Sequence, residues 1–162
     1  MNRFPSRRAV LACLASITAF PAAAVFAAPA QRFRAIEVDV SPLRATGDTI
    51  TAQWLAKDLP ELLNQAFANY LAPGDRGAPV LVARIDSVSY GTSGSAMQST
   101  ISTHDFIEGA AVVGSGGRKQ TYPLSTFTDV GAPLITTPNG GELRALALAQ
   151  VFASYLPRQI GL

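Results

Sequence analysis

Apolar side chains occupy every second position from Arg34 to Val40, where Ile36, Val38 and Val40 alternate with Glu37 and Asp39. A period of two is that of a half-buried strand. Ser41-Pro42 ends it, because proline cannot donate to a ladder. The period then changes. Leu55, Leu59, Leu62, Leu63, Ala66, Phe67, Tyr70 and Leu71 recur at spacings of three and four, one face of a helix that Asp48 or Thr49 can cap. Pro60 lies inside this run and predicts a kink or a second helix start, since it removes a backbone donor. Ala72-Pro73-Gly74-Asp75 stops the helix.

The second half reads mainly as strands. Pro79 to Tyr90 carries Val80, Val82, Ile85 and Val88, a β-branched composition that favours extended structure. Gly91 to Thr103 is dominated by Ser, Thr and Gly and predicts a mobile loop. Asp105 to Val113 and Gln120 to Thr128 form two more strands. Gly114-Ser115-Gly116-Gly117 between them supplies the positive φ that a tight reversal needs. Asn139 can cap a last helix from about Gly141 to Leu156, with Leu148, Val151, Phe152, Tyr155 and Leu156 as its apolar stripe and Pro157 as its end. The remaining tail is apolar enough to fold back on the domain or to meet a neighbour. The order β-α-β-β-β-α predicts an α+β fold, a two-layer sandwich in which two helices cover one face of a four-stranded, mostly antiparallel sheet.

Residues 1 to 30 have the three parts of an export signal. Arg3, Arg7 and Arg8 form a basic start, Ala9 to Phe20 an apolar stretch, and Pro21 to Ala30 a small-residue tail. Cleavage after Ala27 or Ala30 leaves small side chains at the two positions the peptidase reads, so the expected organisation is a leader, 1–30, and one periplasmic or secreted domain, 31–162. Ser6-Arg7-Arg8-Ala9-Val10-Leu11 is similar to a twin-arginine signal, and an ordinary secretory signal with adjacent arginines reads equally well. An uncleaved anchor is disfavoured by the alanine content and by Pro21 and Pro29. A lipid anchor at Cys13 is disfavoured by the four apolar residues that separate it from Arg8.

Removing the leader changes the charge. The 13 basic side chains fall to 10 against 11 acidic ones, a net charge of −1, and the single cysteine leaves as well. The domain then has no composition-level case for nucleic acid, no thiol and no sulfur ligand. His104 is the sole histidine. Ser99, Ser102 and Asp105 lie near it in sequence, but a strand puts Asp105 on the opposite face. One histidine and no cysteine exclude the usual closed zinc sets, and no acidic loop has calcium-binding spacing. No cofactor is implied. Glu37 and Asp39 share one strand face, as a carboxylate pair would; plain surface alternation accounts for them too. Arg118 and Lys119 read as the solvated flank of a turn. The strongest interaction candidate is the loop, through Tyr90, Ser93, Ser95, Gln98, Ser99 and Thr103, whose hydroxyls and amide suit a polar ligand or a partner.

Val38-Asp39-Val40-Ser41-Pro42-Leu43, Ala83-Arg84-Ile85-Asp86 and Asp105-Phe106-Ile107-Glu108-Gly109 resemble segments of uncharacterised exported proteins of alphaproteobacteria. The order of elements is similar in topology to auxiliary lipoproteins of ABC-type transporters. Neither resemblance implies a site residue. The expected function is a non-enzymatic envelope accessory domain that binds a protein partner or a small polar ligand, with no stable membrane anchor after cleavage. The alternatives are a small hydrolase or lyase working through His104 or the Glu37/Asp39 pair, and a self-assembling structural protein.

Overall fold

The computed structural model describes residues 31–91, 104–115, 117–129 and 137–162. The elements are β1 (Ala35–Asp39), α1 (Ser41–Ala45), α2 (Thr49–Ala66), β2 (Val80–Ser89), β3 (His104–Ser115), β4 (Arg118–Asp129) and α3 (Gly140–Gln159), with a 3-10 turn at Ala68–Tyr70. The expected α+β class and element order hold, and a short helix, α1, is added after β1.

The sheet runs β1-β2-β3-β4 in chain order. β2 with β3 and β3 with β4 are antiparallel, as expected, but β1 lies parallel to β2, so the sheet is mixed. The connection explains the difference. Adjacent strands can run in the same direction only if a crossover carries the chain back, and the 18 residues of α2 span roughly 27 Å, enough to do so. Ser115 pairs with Arg118, and Gly117 takes a φ of 81° in the turn between them, the left-handed conformation that the glycine run was expected to supply.

Two proline readings need correction. α2 runs on through Pro60 with no second helix start, and α3 passes Pro157 and ends at Gln159. In α2, Leu55 and Leu59 before Pro60 and Leu63 after it are all fully buried. Burial of each such side chain is worth about 1.5–3 kcal/mol, which together outweighs the roughly 3 kcal/mol cost of an internal proline. Beyond Pro157, Ile160 is buried, while Gly161 N–H donates to Arg158 O (3.1 Å) and Leu162 N–H to Pro157 O (3.0 Å). The apolar tail therefore folds back on the domain. The caps divide: Asp48 accepts from Thr51 N–H at 3.2 Å, whereas Asn139 stands at the start of α3 without a side-chain capping bond.

One face of the sheet carries the core. Leu81, Ala83 and Ile85 from β2 and Ile107, Ala111 and Val113 from β3 are buried in one core with residues of all three helices. Phe67 and Phe152 are fully buried there too, and Phe33 meets Phe67 edge to face at 5.8 Å, a favoured aromatic geometry. A bulge between Ile85 and Ser87 gives β2 one extra residue. A single-residue slip exchanges the two faces of a strand. Before the bulge Leu81, Ala83 and Ile85 point inward; after it Val88 and Tyr90 pack against the core.

Candidate functional site

The other face of the sheet has no covering layer among the described residues. Its outward positions come into register across four strands. Ala35, Val80, Gly114 and Lys119 stand side by side in one row, and Glu37, Val82, Val112 and Thr121 in the next. At this end of the face lies an open concavity of about 680 Å³. Four cations line it. Arg34 comes from the start of β1, Arg76 from the segment before β2, Arg84 from β2 and Lys119 from β4; Glu37 and Asp39 line its β1 side.

These charges are held differently. Arg84 donates to Asp86 through Nε (2.7 Å) and Nη2 (3.1 Å), and this carboxylate raises its already high pKa. Asp39 accepts from the hydroxyl of Ser41 and from its N–H at 2.9 Å. The hydroxyl first, the N–H second, and to a lesser degree Arg84, hold its carboxyl below the usual range. Asp39 is therefore a fixed anion, a poor general acid beside Glu37. Arg34, Arg76 and Lys119 form no ion pair with the described residues.

The opposite end of the same face is aromatic. His104 and Phe127 have ring centroids 5.2 Å apart, and Phe106 and Phe127 5.9 Å apart. Both phenylalanines are exposed. His104 Nδ1 contacts the Asp129 carboxylate across the β3–β4 ladder. The expected facing holds: Asp105 points into the core and His104 does not. His104 and the Glu37/Asp39 pair lie at different ends of the face, and among the described residues no three of His, Cys, Asp and Glu converge as metal ligands would.

A second polar constellation is buried. Asp105, fully enclosed, receives the guanidinium of Arg144 through both oxygens, Nε at 2.8 Å to one and Nη2 to the other. Gly91 completes the clamp: its N–H donates to Asp105 at 2.9 Å, and its carbonyl accepts from Arg144 Nη2 at 2.6 Å. The guanidinium also sits 4.8 Å over the ring of Tyr90, whose hydroxyl meets Thr51 Oγ1 at 3.2 Å. Burial, the largest influence, raises the Tyr90 phenol above its ordinary range. The clamp ties the end of β2 to the starts of β3 and α3. Each charge in it has its counter-ion and donors, as a buried ion pair requires.

Of the predicted loop residues, Tyr90 lies in this clamp, and Ser93, Ser95, Gln98, Ser99 and Thr103 fall outside the described residues. Sequence reading missed Arg34, Arg76 and Arg84 as a set, and treated Lys119 only as a turn flank. Their one sequence signal is weak: Arg34, Arg84 and Lys119 stand next to or within predicted strands and Arg76 three residues before one. Among the described residues no helix is long and apolar enough to cross a membrane.

No protein-family profile and no curated protein matches the chain. Among solved structures it is similar to an uncharacterised protein, with 14% identity, 66% of this chain and 67% of the other covered, and a TM-score of 0.37. It is also similar to a candidate lipoprotein from Caulobacter crescentus CB15, with 16% identity, 78% and 85% covered, and a TM-score of 0.36.

Proposed function

We propose that this chain is exported on an N-terminal signal cleaved after Ala27 or Ala30, and acts in the cell envelope as a non-enzymatic binding domain whose working surface is the uncovered face of the sheet. The observation that carries the reading is the concavity on that face. Four cations and two carboxylates line it, in a domain whose own net charge is −1. Concentrating positive charge in one recess draws an anionic ligand there even when the whole domain is near neutral. A shallow site of this kind recognises a ligand by its charge and shape.

Self-assembly through a strand edge is the second reading. It is favoured by β4, whose outer edge pairs with nothing among the described residues. Two features blunt that edge. Pro123 has no N–H to offer, and Gln159 Nε2 donates to its carbonyl at 2.6 Å, both recognised ways of protecting an exposed strand.

The test is native mass spectrometry of the protein drawn from envelope fractions, wild type beside the triple variant Arg34→Glu/Arg76→Glu/Lys119→Glu. The wild type is expected to start at residue 28 or 31 and to retain a small bound species that the variant has lost. Identical spectra from a variant that melts like the wild type would refute the binding surface.

A further inference from the structure

We infer that the concavity recognises a phosphoryl group carried on a hydroxylated carbon skeleton, and that Gly114 is what keeps it open. This inference rests on the uncovered face being the binding surface, and it names the ligand chemistry.

The shape comes from one missing side chain. Gly114 stands between Val80 and Lys119 in the outward row, and a Cβ placed on it would meet nothing within 4 Å. Strands lie roughly 4.8 Å apart, so the bare position opens a gap of about two strand spacings between the Val80 and Lys119 side chains. Val80, Val82 and Val112 floor the recess, an apolar bed for the C–H side of a small molecule. Its volume of about 680 Å³ falls inside the range of roughly 300–1,000 Å³ usual for small-molecule sites.

The charge pattern selects the head group. Arg34, Arg76 and Lys119 reach the recess from three separate segments, and none is spent on an ion pair with the described residues. Two guanidinium forks and an ammonium offer more donors than the two oxygens of a carboxylate can use. A phosphoryl group, with three acceptor oxygens and up to two charges, matches them. Glu37 and Asp39 repel a bare anion on the β1 side, but they accept hydrogen bonds from hydroxyls. A phosphate attached to a polyol satisfies both walls at once. The same chemistry occurs in soluble polyol phosphates and in glycerophospholipid head groups.

Calorimetry on the protein purified from its full-length chain, with glycerol 3-phosphate, succinate and phosphatidylglycerol vesicles as probes, tests this. Glycerol 3-phosphate is expected to bind, and more weakly as salt is raised. Gly114→Leu, which fills the recess on an unstrained strand position, should weaken binding at least tenfold. Arg76→Met and Lys119→Met, both surface changes that leave the strand intact, should each weaken it about tenfold, the worth of one charged hydrogen bond. Vesicle binding without glycerol 3-phosphate binding, with the same losses, would identify the lipid head group as the source and support the site. Succinate bound as tightly as glycerol 3-phosphate would overturn the phosphoryl assignment and leave the binding surface standing. Unchanged affinity in a folded Gly114→Leu, or in both methionine variants, would overturn the site. If no probe binds, the assignment falls, and the mass spectra above decide the broader reading separately.

Discussion

Arg144→Met should unfold this domain far more readily than its partly accessible position suggests. Asp105 is 0% exposed and the Arg144 side chain 12%. Removing the arginine leaves a carboxylate in the core with one donor, the Gly91 N–H. Breaking one side of a buried ion pair costs about 3–5 kcal/mol, and the surviving donor places this case near 3. Loss of the guanidinium over Tyr90 adds about 1 kcal/mol. The total of about 4 kcal/mol corresponds to a fall in melting temperature of roughly 12 °C for a domain of this size. The double variant Asp105→Leu/Arg144→Met removes the stranded charge and should return to within about 2 kcal/mol of wild type, the residue being the two Gly91 backbone groups left without partners. Urea unfolding, followed by the fluorescence of the single tryptophan, Trp54, and by far-ultraviolet circular dichroism, measures all four corners of the cycle. A single substitution costing less than about 1 kcal/mol, or a double variant no better than Arg144→Met, would refute the clamp as a coupled unit.

Three further outcomes follow from the fold. Pro60→Ala restores the N–H that α2 lacks, a gain of about 3 kcal/mol, less about 1 for a more flexible unfolded chain; thermal melts should show net stabilisation near 2 kcal/mol, and a lower melting point would mean that the helix depends on its proline. Gly109→Ala sets a Cβ 2.2 Å from the Arg84 carbonyl, an overlap that only a shift of the β2–β3 ladder can relieve. It should cost at least about 2 kcal/mol and speed amide exchange in β2, so unchanged exchange would contradict the close approach. Tyr90 titrates above its ordinary 10.0, chiefly through burial, so the folded state holds that proton more tightly than the unfolded state. The stability this contributes is present below pH 10 and is lost as pH rises through the folded value. Absorbance at 295 nm should show Tyr90→Phe removing the component that ionises late, and removal of an ordinary one would place Tyr90 in solvent.

The two faces of the sheet hold their charges differently. Inward polar groups are few and fully paired, which a buried charge requires. Outward charges are more numerous, and Arg34, Arg76 and Lys119 form no ion pair with the described residues, which water permits. The bulge at Asp86 separates the roles within a single strand: Arg84 before it faces the recess, and Tyr90 after it faces the clamp.

Local periodicity determined a great deal by itself. The alternation of Ile36, Val38 and Val40, the helical spacing from Leu55 to Leu63, the glycine hairpin and the opposed faces of His104 and Asp105 are each short-range consequences of backbone geometry, and each appears in the structure. Where a local rule met a long-range force, the long-range force won. Pro60 and Pro157 sit inside helices because the leucines and Ile160 around them are buried by segments distant in sequence. The direction of β1 follows from where its crossover returns the chain, not from any residue in it. The Arg144–Asp105 pair and the set of Arg34, Arg76, Arg84 and Lys119 join residues far apart in sequence, and charge carries no period by which such partners could be matched in advance. The recess itself depends on Gly114, which in sequence is one glycine of a turn. Only the register of four strands sets that missing side chain between a valine and a lysine.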